Sequence, residues 1–179
     1  MKLVIIHFSF AFILFGISKS SLNTSNNNFS NIKIAQVRLL YKDAITSKEK
    51  AALLYDKLKK ITKKDNKILL AYKGAVTALV SKNLKGAKTK KATFKEGILL
   101  IEYAVSKQPK AYEIRFIRMC LQQNIPKFLK YNKHKVEDKN FILNNFKTLK
   151  SNNLKRHVLD YINQSKHFTE LEKNRLNSK

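Results

Sequence analysis

Four glycines and two prolines punctuate 179 residues. Sheet folds reverse the chain every few residues, and their tight turns draw on residues that reach positive φ or fix φ in advance. A chain this poor in both is badly supplied for hairpins. Its apolar residues instead recur at three- and four-residue intervals along most of the length, the spacing of one face of an α-helix. Together these features predict an all-α fold.

Reading along the chain, residues 32–44 place Ile34, Val37, Leu40 and Tyr41 on one helical face. Thr46-Ser-Lys-Glu49 has the form of a capping box, in which hydroxyl and carboxylate each satisfy a free backbone donor of the other residue. It is expected to open a second helix bearing Ala51, Leu54, Tyr55, Leu58 and Ile61. KKDN at 63–66 is a polar turn. A third helix over 68–80 carries Ile68, Tyr72, Ala75, Val76 and Leu79. SKNLKGAKTKK, residues 81–91, reads as a basic linker, because it contains Gly86 and no long apolar run. Thr93-Phe-Lys-Glu96 is a second capping box, opening a fourth helix through Phe94, Gly97, Ile98, Ile101, Ala104 and Val105 that stops before Pro109.

A fifth helix spans 111–124, and the chain turns at Pro126. Residues 136–150 form a sixth helix through Phe141, Ile142, Phe146 and Leu149. Leu154, Val158, Tyr161 and Ile162 mark a seventh. Thr169-Glu-Leu-Glu172 is a third capping box, opening a short final helix. The expectation is about seven or eight short amphipathic helices, none with the strict heptads of a long coiled coil. They are expected to stack as antiparallel pairs in a single domain over 32–179.

The first twenty residues stand apart. Lys2 precedes an apolar run over 3–17, and Ser18 and Ser20 supply small residues at the −3 and −1 positions of a cleavage site before Ser21. This is the layout of a Sec-type signal peptide, which implies export to a periplasm or secretion. The alternative is an uncleaved N-terminal anchor, for which the run is short of the roughly 20 apolar residues of a membrane span. Residues 21–31, SLNTSNNNFSN, are small and polar and read as a disordered lead-in.

The formal charge is +25, and removal of Lys2 and Lys19 with residues 1–20 leaves about +23. Such an excess attracts an acidic protein, a polyanion or an anionic membrane surface. It argues less for nucleic acid. Of the 37 basic residues only five are arginine, the residue suited to bidentate phosphate and base-edge contacts, and no DNA-binding motif is present. Lysine and asparagine are abundant throughout, and a lysine-covered surface does not by itself name a partner.

Catalytic chemistry is thinly represented. The lone Cys120 forms no intrachain disulfide and no cysteine-type zinc site, and between Met119 and Leu121 it is expected to pack in the core. His7 lies in the signal-like run, His134 in a lysine-rich loop, and His157 and His167 flank the seventh helix, with no HxxxH or HExxH spacing. His134, Glu137 and Asp138 form the one cluster of metal-ligand types, but two carboxylates at a helix start are accounted for by the helix dipole. There is no glycine-rich phosphate loop and no GxSxG. The sequence calls for no catalytic residue, no metal and no cofactor, and it reads as a non-enzymatic protein.

LLAYKGAV at 69–76, followed by GILLIEYAVSKQPKAYEIRFIR at 97–118, resembles a degenerate tetratricopeptide repeat. Gly74, Gly97, Ala104 and Pro109 stand where that family has a small residue in the first helix, a small residue and a later alanine in the second, and an exit proline. The resemblance covers about 50 of the 179 residues. It departs from the family where residues 81–91 replace a tight turn, and no second copy recurs at the family's period of roughly 34 residues. The layout also resembles small exported bacterial helical proteins with no assigned activity. The resemblance implies stacked helix pairs with a groove for a protein partner.

Within that region KQPKAYEIRFIRM, residues 107–119, holds two of the five arginines. On a helical wheel Ala111, Arg115, Arg118 and Gln122 share one side, while Glu113 falls within the apolar arc of Ile114, Ile117, Cys120 and Leu121. Guanidinium groups in a chain otherwise built on lysine mark a place where fork geometry matters. One reading is an internal salt bridge from Arg115 or Arg118 to Glu96, Glu102 or Glu113. The other is a small anion or carboxylate-terminated partner held between the fourth and fifth helices, with Arg115, Arg118, Glu113, Tyr72 and Tyr103 as partner-binding residues. The function expected is that of an exported interaction protein, using a helical groove and a basic surface to hold a protein or anionic partner. The alternative is a peripheral envelope protein attached to anionic lipid through its lysines.

Overall fold

A computed structural model describes residues 33–178. The signal-like segment and the polar lead-in lie outside the described residues. Among those described there are eight α-helices and no strand: α1 Ile34–Thr46, α2 Lys48–Leu58, α3 Lys67–Val80, α4 Ala87–Lys107, α5 Tyr112–Asn124, α6 Lys135–Asn145, α7 Asn152–Gln164 and α8 Glu170–Asn177. No helix among them is long and apolar enough to cross a membrane.

The helix ends follow local chemistry, with two departures from the sequence expectation. Asn66 caps α3 through Oδ1, which accepts from the backbone N–H groups of Ile68 and Leu69. The Thr169 box forms as expected: Glu172 N–H donates to Thr169 Oγ1, and Thr169 N–H donates to Glu172 Oε2. The first box is shifted by one residue. Ser47, not Thr46, caps α2, its Oγ accepting from Lys50 N–H, while Thr46 ends α1. The second box does not form at all, because Thr93 and Glu96 lie inside α4. That helix starts six residues earlier than the box, at Ala87, directly after Gly86, whose φ of +80° suits glycine. Nearly half of the expected linker, residues 87–91, therefore belongs to α4. The apolar runs at the end of the expected sixth helix also close differently, α6 finishing at Asn145 and giving way to a single tight turn over Phe146–Thr148.

α3 and α4 form the closest pair. A Cβ on Gly74 would meet the Gly97 carbonyl oxygen at 2.5 Å, and one on Gly97 would meet the Gly74 carbonyl at the same distance. Only glycine at both positions lets the two backbones touch.

Two apolar clusters make the core. The first is built by α1 to α4 and includes Val37, Leu54, Leu70, Val76 and Ile101. The second is built by α6, α7 and α8 and includes Ile142, Phe146, Val158, Ile162 and Leu176. α5 serves both: Ile114, Ile117 and Leu121 enter the first, and Phe116, Met119 and Cys120 the second. Ten of its thirteen residues are buried. Its arginine side is not turned to water, because Arg118 and Gln122 are as deeply covered as its apolar arc.

Candidate functional site

The five residues singled out in the sequence fall into three separate places. Glu113 projects from the first turn of α5 and is buried against Arg38 of α1. Arg38 Nε and Nη2 donate to its two oxygens at 2.7 and 2.6 Å, and the buried Tyr72 hydroxyl of α3 donates to Oε1 at 2.9 Å. Arg38 also donates from Nη1 to Asn153 Oδ1 at 2.7 Å, reaching the start of α7. Burial first, and then the adjacent Glu113 carboxylate, push the Tyr72 hydroxyl well above the ordinary phenol range. It therefore stays a donor at every physiological pH.

Arg115 and Arg118 meet at Asp138 of α6, a carboxylate with no exposed surface. Arg118 grips it with both Nε and Nη2, at 2.6 and 2.9 Å, and Arg115 Nε reaches Oδ1 at 2.7 Å. The remaining guanidinium donors go to carboxylates on either side: Arg118 Nη1 to Glu102 Oε2 at 3.0 Å, and Arg115 Nη2 to Glu137 Oε1 at 2.6 Å. The Arg115 guanidinium also lies 4.2 Å from the centre of the Phe141 ring. Burial by itself would lower the pKa of Arg118, but its bonds to Asp138 and the charges of Asp138 and Glu102 raise it beyond the ordinary value. The bridge to Glu102 is one of those expected; Glu113 pairs with Arg38 instead. Both arginines are thus occupied within the protein. His134 Nδ1 lies 3.0 Å from Glu137 Oε2, so that cluster is tied into the same network.

Tyr103 is elsewhere again, half-buried on α4 with the Lys63 and Lys107 ammonium groups 4.8 and 5.5 Å from its ring centre. Sequence reasoning did not single out Arg38, and it read Asp138 only as a helix-start carboxylate, whereas these two residues complete the networks. Arg38 carried a signal, since it sits between Val37 and Tyr41 on an apolar face. That Asp138 would meet the two arginines carried no signal without knowledge that α6 pairs with α5.

The feature best shaped to receive something lies on the other side of α4. A groove of about 910 Å³ runs between the end of α3, the first half of α4, the end of α5 and the segment after Pro126. Ala87, Lys90, Lys91, Phe94, Lys95 and Ile98 line it from α4. Its floor is apolar, with Ala78, Leu79, Leu121, Ile125 and Leu129, and Phe128 stands 77% exposed at its lip. Lys82, Lys90, Lys91, Lys95 and Lys130 line its rim, and no carboxylate does. The first turn of α4 has neither a side-chain cap nor an acidic residue, so these lysines add to the positive end of the helix dipole with nothing to offset it. Three polar side chains of the lining are bonded within the protein. Ser81 Oγ donates to the Ala78 carbonyl, Asn124 Nδ2 bonds to the Cys120 carbonyl and the Tyr161 hydroxyl, and that hydroxyl donates to Gln123.

A second cavity of about 540 Å³ adjoins the groove between α1, α5 and α7. Tyr41, Ile45, Cys120, Asn124 and Tyr161 line both. Its inner wall includes Phe116, Ile117 and His157, the histidine packed edge-on to Phe116 with ring centres 5.6 Å apart. His157 lies within α7 and not beside it. Burial lowers its pKa below the usual imidazole value, which favours the neutral ring. Burial likewise pushes the Cys120 thiol far up, so it stands in the wall as an uncharged group.

No family model, no curated protein and no solved structure matches this chain.

Proposed function

We propose that this chain is a non-enzymatic binding protein that holds an anionic, amphipathic partner in the groove along α4. One observation carries the reading: an apolar floor is bordered by five lysines and by no carboxylate. An apolar body would be desolvated against Phe94, Ile98 and Leu121 while its charge remained at the lysine rim, where the ion pairs keep contact with water. The state of the single thiol supports binding over catalysis, since a buried, protonated sulfur is a poor nucleophile. The close glycine contact of α3 and α4 is compatible with the tetratricopeptide-like pairing, and we keep that kinship, together with export through residues 1–20, as part of the proposal.

Anilinonaphthalene sulfonate, an apolar ring system with one anionic group, tests the reading directly. The full chain should bind it saturably, and the charge reversals Lys91→Glu and Lys95→Glu together should weaken binding roughly tenfold. Equal affinity in the doubly substituted protein would remove the groove from consideration. A second reading, peripheral attachment to an anionic bilayer, draws on the exposed Phe128 beside Lys130 at the groove lip. It predicts that vesicle binding by the full chain vanishes at high salt, whereas the apolar contribution in the groove persists.

A further inference from the structure

We infer that the occupant of the groove is a single-chain anionic lipid, a long-chain carboxylate taken up one molecule at a time. Its head group would sit on Lys91 and Lys95, and its tail would run past Cys120 into the inner cavity. This rests on the groove being the binding site and specifies what fills it.

Three observations select this occupant. The apolar surface is concave, lying at the bottom of a lysine-rimmed trough, so a bilayer surface meets the rim while only a chain withdrawn from the bilayer reaches the floor. The polar side chains on the floor, Ser81, Asn124 and Tyr161, are already bonded within the protein. Those bonds leave them with few groups for a peptide backbone or a sugar, and a polymethylene chain asks nothing of them. The groove also adjoins the second cavity. Cys120 and Ile45 border both it and the inner cavity, whose lining combines Phe116, Ile117 and an imidazole held toward its neutral form with the charged side chains of Lys42, Asp43, Asp160 and Lys166. An elongated apolar molecule uses both spaces, whereas a compact anion uses neither.

The test is a titration of the full chain with octanoate, dodecanoate and palmitate, with hexadecanol as the uncharged counterpart of palmitate. Affinity is expected to rise about fourfold with each methylene buried. Hexadecanol should bind roughly tenfold more weakly than palmitate, and Lys91→Glu with Lys95→Glu should cost palmitate a similar factor. Ile45→Trp adds bulk at a half-exposed position between the two spaces. It should abolish the gain from dodecanoate to palmitate. Equal affinity for octanoate and palmitate, or no response of palmitate to the lysine reversals, overturns the inference. If palmitate fails while the naphthalene sulfonate still binds in a Lys91- and Lys95-dependent way, the groove reading stands and the long-chain occupant falls. If phosphatidylglycerol vesicles alone bind with that dependence, the occupant is a membrane surface. If no probe responds to the two lysines, both the occupant and the groove reading fall together.

Discussion

Asp138→Asn is the sharpest perturbation of this fold. The substitution preserves shape and removes one charge. In the native protein Asp138 accepts three guanidinium bonds, from Arg115 Nε, Arg118 Nε and Arg118 Nη2, and has no exposed surface. Asparagine keeps one carbonyl acceptor but turns a donor toward donors. Two covered arginines are then left with Glu102 and Glu137, and Glu137 is largely exposed. Breaking a buried pair from one side typically costs about 3–5 kcal/mol, because the remaining charge stays desolvated. For a domain of this size each kcal/mol moves the melting temperature by about 3 °C, so a fall of about 9–15 °C is expected. Asp160→Asn is the control, since among the described residues its ion pair is with Lys42 at 3.3 Å and both side chains are about half exposed. It should cost about 0.5 kcal/mol or less. Thermal melts followed by circular dichroism separate the two. A drop of under about 3 °C for Asp138→Asn would refute the view that the arginine cluster holds α6 against α5. Arg118→Lys checks the geometry separately: it keeps the charge and loses the two-pronged grip, and it should destabilise more than a lysine substitution at a surface site.

Other outcomes follow from single contacts. Gly74→Ala should lower stability by about 1–3 kcal/mol in a denaturant melt, despite alanine's better helix propensity, because the new methyl meets the Gly97 backbone carbonyl at 2.5 Å as well as the Ile101 side chain. Thr169→Ala should cost about 1 kcal/mol and show first as faster amide exchange in α8. His157→Gln should flatten the acid limb of the stability profile. The native pKa of His157 is lowered by burial, so the unfolded chain takes up its proton first, and the wild type loses stability as pH falls below about 6.5 toward that lowered value. Parallel profiles for the two proteins would exclude His157 as a contributor.

Much of the helix order was legible because most of these helices bury a stripe at regular spacing. Pro109 ended α4, Asn66 and Thr169 carried their caps, and the alternation of apolar positions in α7 matched Leu154, Val158 and Ile162 in the core. The start of α4 escaped for a physical reason. Over residues 87–91 the stripe that faces the groove is alanine and lysine, so a helix is present without the buried row that periodicity detects. The Thr93 box was then read as a beginning when it lay in mid-helix, where Thr93 has no free backbone end to cap. At the candidate site the scarcity of arginine pointed to real guanidinium geometry, but the partner of Arg118 depends on which helix lies beside α5. The groove itself needed the tertiary arrangement, because its lysines are indistinguishable in sequence from those that merely face water.

The division of α5 between two clusters has a consequence for how the molecule comes apart. The helix is a party wall: neither group of neighbours owns it, and each needs it to close its own interior. Losing α6 to α8 would strip Phe116, Met119 and Cys120 of their cover, and losing α1 to α4 would do the same to Ile114, Ile117 and Leu121. The two halves are therefore bound to melt as one cooperative unit, with the α5 amides the last to exchange, and a fragment cut on either side of this helix would inherit an interior with one wall missing.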